Sequence, residues 1–150
     1  MPLSKETLLI HEAKRWVSIT EQGGNNRGQL VTLFQRAAGG LANGEPWCMA
    51  FVQFCIQAVD TLVADCEGST QKSLLFKSEH CLCIWQQGQT ASGHVGIIVD
   101  VNADGSIMTV EGNTSSGDAG NQREGDGVWL KRRCLGANAS LKLKGFLRVW

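Results

Sequence analysis

The hydrophobic pattern of this chain changes period once, and that change limits the fold more than any other feature. In the first part, apolar residues recur at three- and four-residue steps. Leu9, Ala13, Trp16 and Val17 form one stripe, Leu30, Leu33, Phe34 and Ala37 a second, and Phe51, Val52, Cys55, Val59 and Leu62 a third. Such spacing puts each set on one face of a helix. Ser4 can cap the first helix, and Gly39-Gly40 ends a second that runs from Gln29 to Ala38. The third begins near Cys48, after Pro46 and Trp47. Beyond it, the segments LCIWQQ, HVGIIVDV, SIMTVEG, GVWLKRR and GFLRVW read as short strands separated by Gly, Asn, Asp and Ser. Helices followed by consecutive short strands predict an α+β fold, with N-terminal helices packed on an antiparallel β-sheet.

A length of 150 residues suits one domain spanning 1–150, large enough to bury a core without staples. Fourteen basic residues balance fourteen acidic ones, so no global field draws the chain to nucleic acid or an anionic membrane. The N-terminal stretch MPLSKETLLIHEAKRW holds only a short apolar run with charge on both sides, so neither a signal peptide nor a membrane span is read there. Synthesis in the cytoplasm follows, and the six cysteines are expected as thiols rather than a disulfide framework. Gly112 to Gly127 reads as a long polar loop of the kind that rims functional sites.

Cys48 and Cys55 lie on one helical stripe, but their axial positions differ. Cys48 falls in the first turn, where unpaired N–H groups and the helix dipole favour a thiolate. Such a thiol, with a basic partner, can titrate as low as roughly 3.5–7.5, whereas a mid-helix thiol in apolar surroundings stays protonated. Cys55 is therefore expected as core filling. A cysteine nucleophile also needs a base and a group that orients the base. Of the three histidines, His11 falls on a polar helix face and His80 stands before Cys81, while His94, between Gly93 and Gly96, heads a strand with its ring unobstructed.

The segment after His94 turns at Asp104-Gly105, a hairpin signal. A loop of either two or four residues there puts His94 on the same sheet face as Glu111 and Asn113. The four-residue loop sets His94 opposite Asn113 and diagonal to Glu111; the two-residue loop makes Asn113 the diagonal neighbour. Glu111 and Asn113 thus both remain candidates to orient the ring.

Asp100, Asn102, Asp104, Gly105 and Glu111 also satisfy the EF-hand calcium pattern. An EF-hand needs a helix on each side, and GHVGII and GNTSSG are poor helix formers. Asp100, Asn102 and Asp104 stay as weak candidates for a looser calcium site; otherwise no cofactor is expected. His80, Cys81, Cys83 and Cys134 could supply zinc ligands, but the C-x-C spacing is tighter than usual, and Cys81 and Cys83 are expected to pack on one strand face.

Several stretches taken together resemble the CHAP (cysteine, histidine-dependent amidohydrolase/peptidase) family in its short phage and bacterial forms. They are EQGGNNRGQLVTLF, GEPWCMAFVQFC, SGHVGIIVDV, DGSIMTVEGNTSS, GDGVWLKRR and GFLRVW, in that order. The resemblance implies a papain-like fold with the nucleophile at a helix N-terminus. It also implies a hydrolase that cuts amide bonds of bacterial peptidoglycan, either the sugar-to-peptide link or a peptide cross-bridge. By position, Cys48 matches the nucleophile, His94 the base, Glu111 the third member and Asn113 a polar neighbour.

On that basis His94 is expected to deprotonate Cys48, which attacks the amide to give a thioester, with the Cys48 N–H as oxyanion donor. Trp47 is a candidate groove wall for substrate. Without an export signal, such an enzyme would reach the wall by release through a membrane pore or by injection. No inhibitor or immunity partner can be read. The competing expectations are a calcium-binding module on the Asp100–Glu111 loop and a catalytically silent relative that binds wall fragments or a partner protein.

Overall fold

The computed structural model describes residues 3–40, 42–67, 81–117, 125–135 and 141–150, without the side chains of 65–67. His80 and the side chain of Cys66 lie outside this set. Three helices, α1 (Lys5–Arg15), α2 (Gln29–Ala37) and α3 (Cys48–Glu67), precede five strands. These are β1 (Leu82–Gln87), β2 (Gly93–Val101), β3 (Ile107–Thr114), β4 (Gly127–Arg133) and β5 (Leu141–Leu147). All neighbouring strands run antiparallel, in the order β4-β3-β2-β1-β5. This is the α+β arrangement expected, consistent with a papain-like fold.

Ser4 caps α1, its Oγ accepting the Thr7 N–H at 3.2 Å, and α1 buries Leu9 and Ala13. The N–H of Gly39 bonds Arg36 O at 2.9 Å and that of Gly40 bonds Gln35 O at 3.0 Å, closing α2. Gly39 adopts φ 73°, the left-handed conformation that a helix stop of this kind favours. The inward face of α2 differs from expectation: Val31, Phe34 and Gln35 are buried, while Leu33 is 44% exposed. Gln35 turns the helix, because its Nε2 donates to Asn26 O at 3.2 Å and Glu45 O at 2.7 Å. On α3 the stripe runs through Phe51, Val52, Cys55 and Val59 to the partly buried Val63, and Leu62 is exposed. A period of 3.6 residues carries the stripe to that position.

The sheet separates two cores. Leu82, Val95, Ile97, Val99 and Val110 join the helices. Cys83, Trp85, Ile107 and Leu141 form a smaller cluster on the other face. Cys81 and Cys83 therefore do not share a face as expected: β1 begins at Leu82, Cys81 belongs to the helix-side core, and Cys83 to the other.

The β2–β3 turn is neither of the two loops anticipated. Asn102 N–H bonds Ser106 O at 2.8 Å around three residues, with Gly105 at φ 80°. The extra residue is absorbed by an irregularity between Ile98 and Asp100, after which Ile98 faces Thr109 and Ile97 faces Val110. Counting on, Gly96 falls opposite Glu111 and His94 opposite Asn113. β3 continues through Gly112, Asn113 and Thr114, all buried, so these three do not belong to the expected polar loop, whose residues 118–124 lie outside the described set. β5 begins and ends earlier than GFLRVW, because Leu141 and Leu143 start the alternation against β1.

Candidate active site

Cys48 is the first residue of α3. The carbonyl of Trp47 accepts the Phe51 N–H at 2.9 Å, so Trp47 occupies the N-cap and the first-turn N–H groups remain unused by the helix. The approach to this helix start is tied down by amides. Asn26 Nδ2 donates to Gly44 O at 3.0 Å, and Gln35 holds Glu45 O. Asn113, oriented to satisfy its neighbours, accepts the Trp47 N–H at 3.3 Å and donates to Asn26 Oδ1 and Gly125 O.

His94 is buried, with Nε2 at 2.8 Å from Glu111 Oε2. Its ring stacks on Trp85, centroids 6.1 Å apart and planes 27° apart. Nδ1 is buried and has no fixed hydrogen-bond partner, leaving that nitrogen for the Cys48 sulfur that interacts with the ring. Gly96 is required here. A Cβ on it would stand 2.8 Å from Glu111 Cγ, 3.2 Å from Thr109 Cβ and 3.3 Å from Trp85 Cζ3.

The electrostatics form one coupled set. Burial raises the Cys48 thiol, but the hydrogen bond and charge of His94, with the Met49 and Val95 N–H groups, outweigh it and hold the thiol below its ordinary value. For His94, burial works against the charged form, yet the hydrogen bonds to Cys48 and Glu111 and their negative charges raise it from 6.5 to about 9. Glu111 is opposed by burial too, but Arg133 and His94 hold it down at about 2. The lowered thiol and the raised imidazole both favour a thiolate–imidazolium pair over the neutral one. Cys55 and Cys83 go the other way, pushed up mainly by burial, and stay thiols.

The structure thus brings Cys48, His94 and Glu111 together and separates the other candidates. Glu111, not Asn113, bonds the ring; the φ of 56° at Asn113 turns its side chain to the helix approach instead. Trp47 is no groove wall: it is fully buried, its ring stacks on Phe34 at 5.6 Å, and its Nε1 donates to Glu21 Oε1 at 2.9 Å. The EF-hand loop is not formed either. Its flanks are β2 and β3, and Glu111, the last calcium position, faces His94 and Arg133. Asp104 is engaged by Ser106 and Arg132, and Asp100 Oδ1 accepts the Val101 N–H. No metal-ligating cluster occurs among the described residues. Cys81, Cys83 and Cys134 are respectively in two different cores and at the surface.

Arg133, Thr109 and Trp85 were not anticipated. Arg133 Nε donates to Glu111 Oε1 at 2.8 Å and its Nη2 to Oε2 at 2.5 Å, and Thr109 Oγ1 donates to Oε1 at 2.6 Å. Strand parity could have placed Arg133 on the Glu111 face had the β3–β4 register been known.

A cysteine at a helix start, coupled to a histidine that a buried carboxylate holds on an antiparallel sheet, is the arrangement a thiol nucleophile with a base and an orienting group would require. The family model of the CHAP domain matches residues 40–113, and over that stretch the chain is similar to this family. CHAP domains are generally cysteine- and histidine-dependent amidohydrolases or peptidases of peptidoglycan. No curated protein and no solved structure matched the chain. No helix among the described residues is long and apolar enough to cross a membrane.

Proposed function

We propose that the protein is a peptidoglycan hydrolase that cleaves an amide bond through Cys48, His94 and Glu111, as an N-acetylmuramoyl-L-alanine amidase or a cross-bridge endopeptidase. The observation that carries this reading is the coupling of a helix-start thiol to a buried imidazole whose far nitrogen sits 2.8 Å from Glu111. The Cys48 thiolate attacks the carbonyl carbon, and the developing oxyanion lies toward the free N–H groups at the start of α3, that of Cys48 foremost. As the C–N bond breaks, the proton on His94 passes to the leaving amine and a thioester remains. Neutral His94 then takes a proton from water, the hydroxide attacks the thioester, and the carboxylic acid product leaves with the thiolate regenerated. Glu111 fixes the ring tautomer and offsets the imidazolium charge throughout.

No cofactor takes part in these steps. The wall would be reached after release or injection from the cytoplasm. Mass spectrometry of purified peptidoglycan digested with wild type, Cys48→Ala and Cys55→Ala tests the reading. New amine ends are expected with wild type and Cys55→Ala only, and their identity names the bond. Identical digests from wild type and Cys48→Ala would remove the enzyme reading.

A further inference from the structure

Two donors on the Glu111 carboxylate come from a single guanidinium. Oε2 is shared by His94 Nε2 and Arg133 Nη2, and Oε1 by Thr109 Oγ1 and Arg133 Nε. Both Glu111 and Arg133 are buried. Arg133 starts opposite Ile107 and runs along the sheet face to reach Glu111. Its guanidinium lies over the Trp85 ring at 5.4 Å, and the same ring stacks on His94.

We infer that Arg133 is a positioning residue of this site, which holds Glu111 against His94 and supplies it with a fixed counter-charge while the imidazole changes protonation. This rests on the reading of His94 as the base. The hydrolytic cycle needs neutral His94 once per turnover. Without Arg133, Glu111 would at that moment be a buried anion with hydrogen bonds from His94 Nε2 and Thr109 Oγ1 but no opposite charge, and protonation of the carboxylate would be favoured. A guanidinium stays charged and grips both oxygens, so the carboxylate remains an acceptor in both halves of the cycle. The same positive charge repels the imidazolium and eases proton transfer to the leaving amine.

The ionisable and charged groups facing this cluster are Cys48 from α3, Cys83 from β1, Glu111 from β3, and Arg133 and Lys131 from β4. Cys83 remains a thiol, and Lys131 Nζ is bound to Ser115 O and Gly117 O. Removing one positive charge raises every titration in its neighbourhood. Arg133→Gln is therefore expected to displace the pH profile of Cys48 alkylation upward by about one pH unit. Arg133→Lys keeps the charge and is expected to return the profile toward wild type, while turnover stays low because the two-point grip is lost.

Iodoacetamide labelling of Cys48 across pH, resolved by peptide mass spectrometry, reads this directly. An ordinary thiol profile in wild type would overturn the proposed function itself. A low-pH thiolate in wild type with a superimposable Arg133→Gln profile would overturn the Arg133 inference alone. If neither variant folds, nuclear magnetic resonance of wild type decides. The Arg133 Nε–H resonance is expected to titrate with the His94 ring, and a resonance that does not move would refute the coupling.

Discussion

Replacing Glu111 by Gln keeps the shape of the side chain and removes its charge, which isolates what the carboxylate contributes to folding. Glu111 titrates at about 2 instead of 4.5, and its depressed value means that its stabilisation is fully present above about 4.5 and drains as the pH falls toward 2. His94 moves from 6.5 to about 9, so its stabilisation is complete below 6.5 and is lost as the pH rises through about 9. Each displacement corresponds to roughly 3 kcal/mol at about 1.4 kcal/mol per pH unit. They describe one cluster seen from two partners and do not add. Cys48, lowered in the folded state, contributes in the opposite sense as the pH falls, so the dome between about 4.5 and 6.5, with a limb on either side, is expected in the difference between wild type and variant.

In Glu111→Gln the acid limb due to this group disappears. The alkaline limb shrinks but persists, because Cys48 still pairs with His94. On the plateau the variant should lose about 3–5 kcal/mol, since Arg133 is left buried opposite a neutral amide. For a domain of this size that is a fall in Tm of roughly 10 °C. Urea unfolding followed by tryptophan fluorescence, for both proteins between about pH 3 and 10, separates the two limbs. The exposed carboxylates Asp60 and Asp104 contribute equally to both proteins and cancel in the difference. Parallel stability curves across the whole range would refute the coupling of Glu111 to His94 and Arg133.

Other outcomes follow from the same geometry. Gly96→Ala forces a methyl group against Glu111 Cγ, Thr109 and Trp85, and should cost about 1–3 kcal/mol while displacing the carboxylate and abolishing lysis; unchanged activity would mean that Glu111 need not stay in place. Calcium or a chelator should leave Tm unchanged, because Glu111 and Asp104 already have protein partners; a calcium-dependent rise in differential scanning fluorimetry would reinstate the loop as a metal site.

The strands and the meeting of Cys48, His94 and Glu111 were legible because both depend on local pattern. LCIWQQ and GVWLKRR coincide with β1 and β4, and the parity of the β2–β3 hairpin already put His94 and Glu111 on one face. The hairpin loop was misjudged, yet the irregularity near Val99 restored the register that a four-residue loop would have produced at His94. Arg133 was not legible, since a long segment joins β3 to β4 and no turn signal sets their register. Trp47 was misread for a different reason. Its indole meets Phe34 from α2 and Glu21 from the preceding loop, contacts distant in sequence that no periodicity encodes. Gln35 was missed for the same reason, its carbonyl partners lying in segments with no regular pattern.

The three residues Glu111, Gly112 and Asn113 explain why two distant segments meet at a fixed distance. Glu111 holds the His94 imidazole from one face of β3. Gly112 faces the other way, and a Cβ there would stand 2.7 Å from Phe51 Cβ and 3.1 Å from the Trp47 ring, so only glycine lets α3 lie this close to the strand. Asn113 then leaves the extended conformation, at φ 56°, and catches the Trp47 N–H immediately before Cys48. One short stretch of β3 thus anchors the imidazole, admits the helix and pins the helix start. The separation of sulfur and ring is set by consecutive bonds of a single strand rather than by the loops around it. Rigid elements of this kind hold a reacting pair within the small tolerance that nucleophilic chemistry requires.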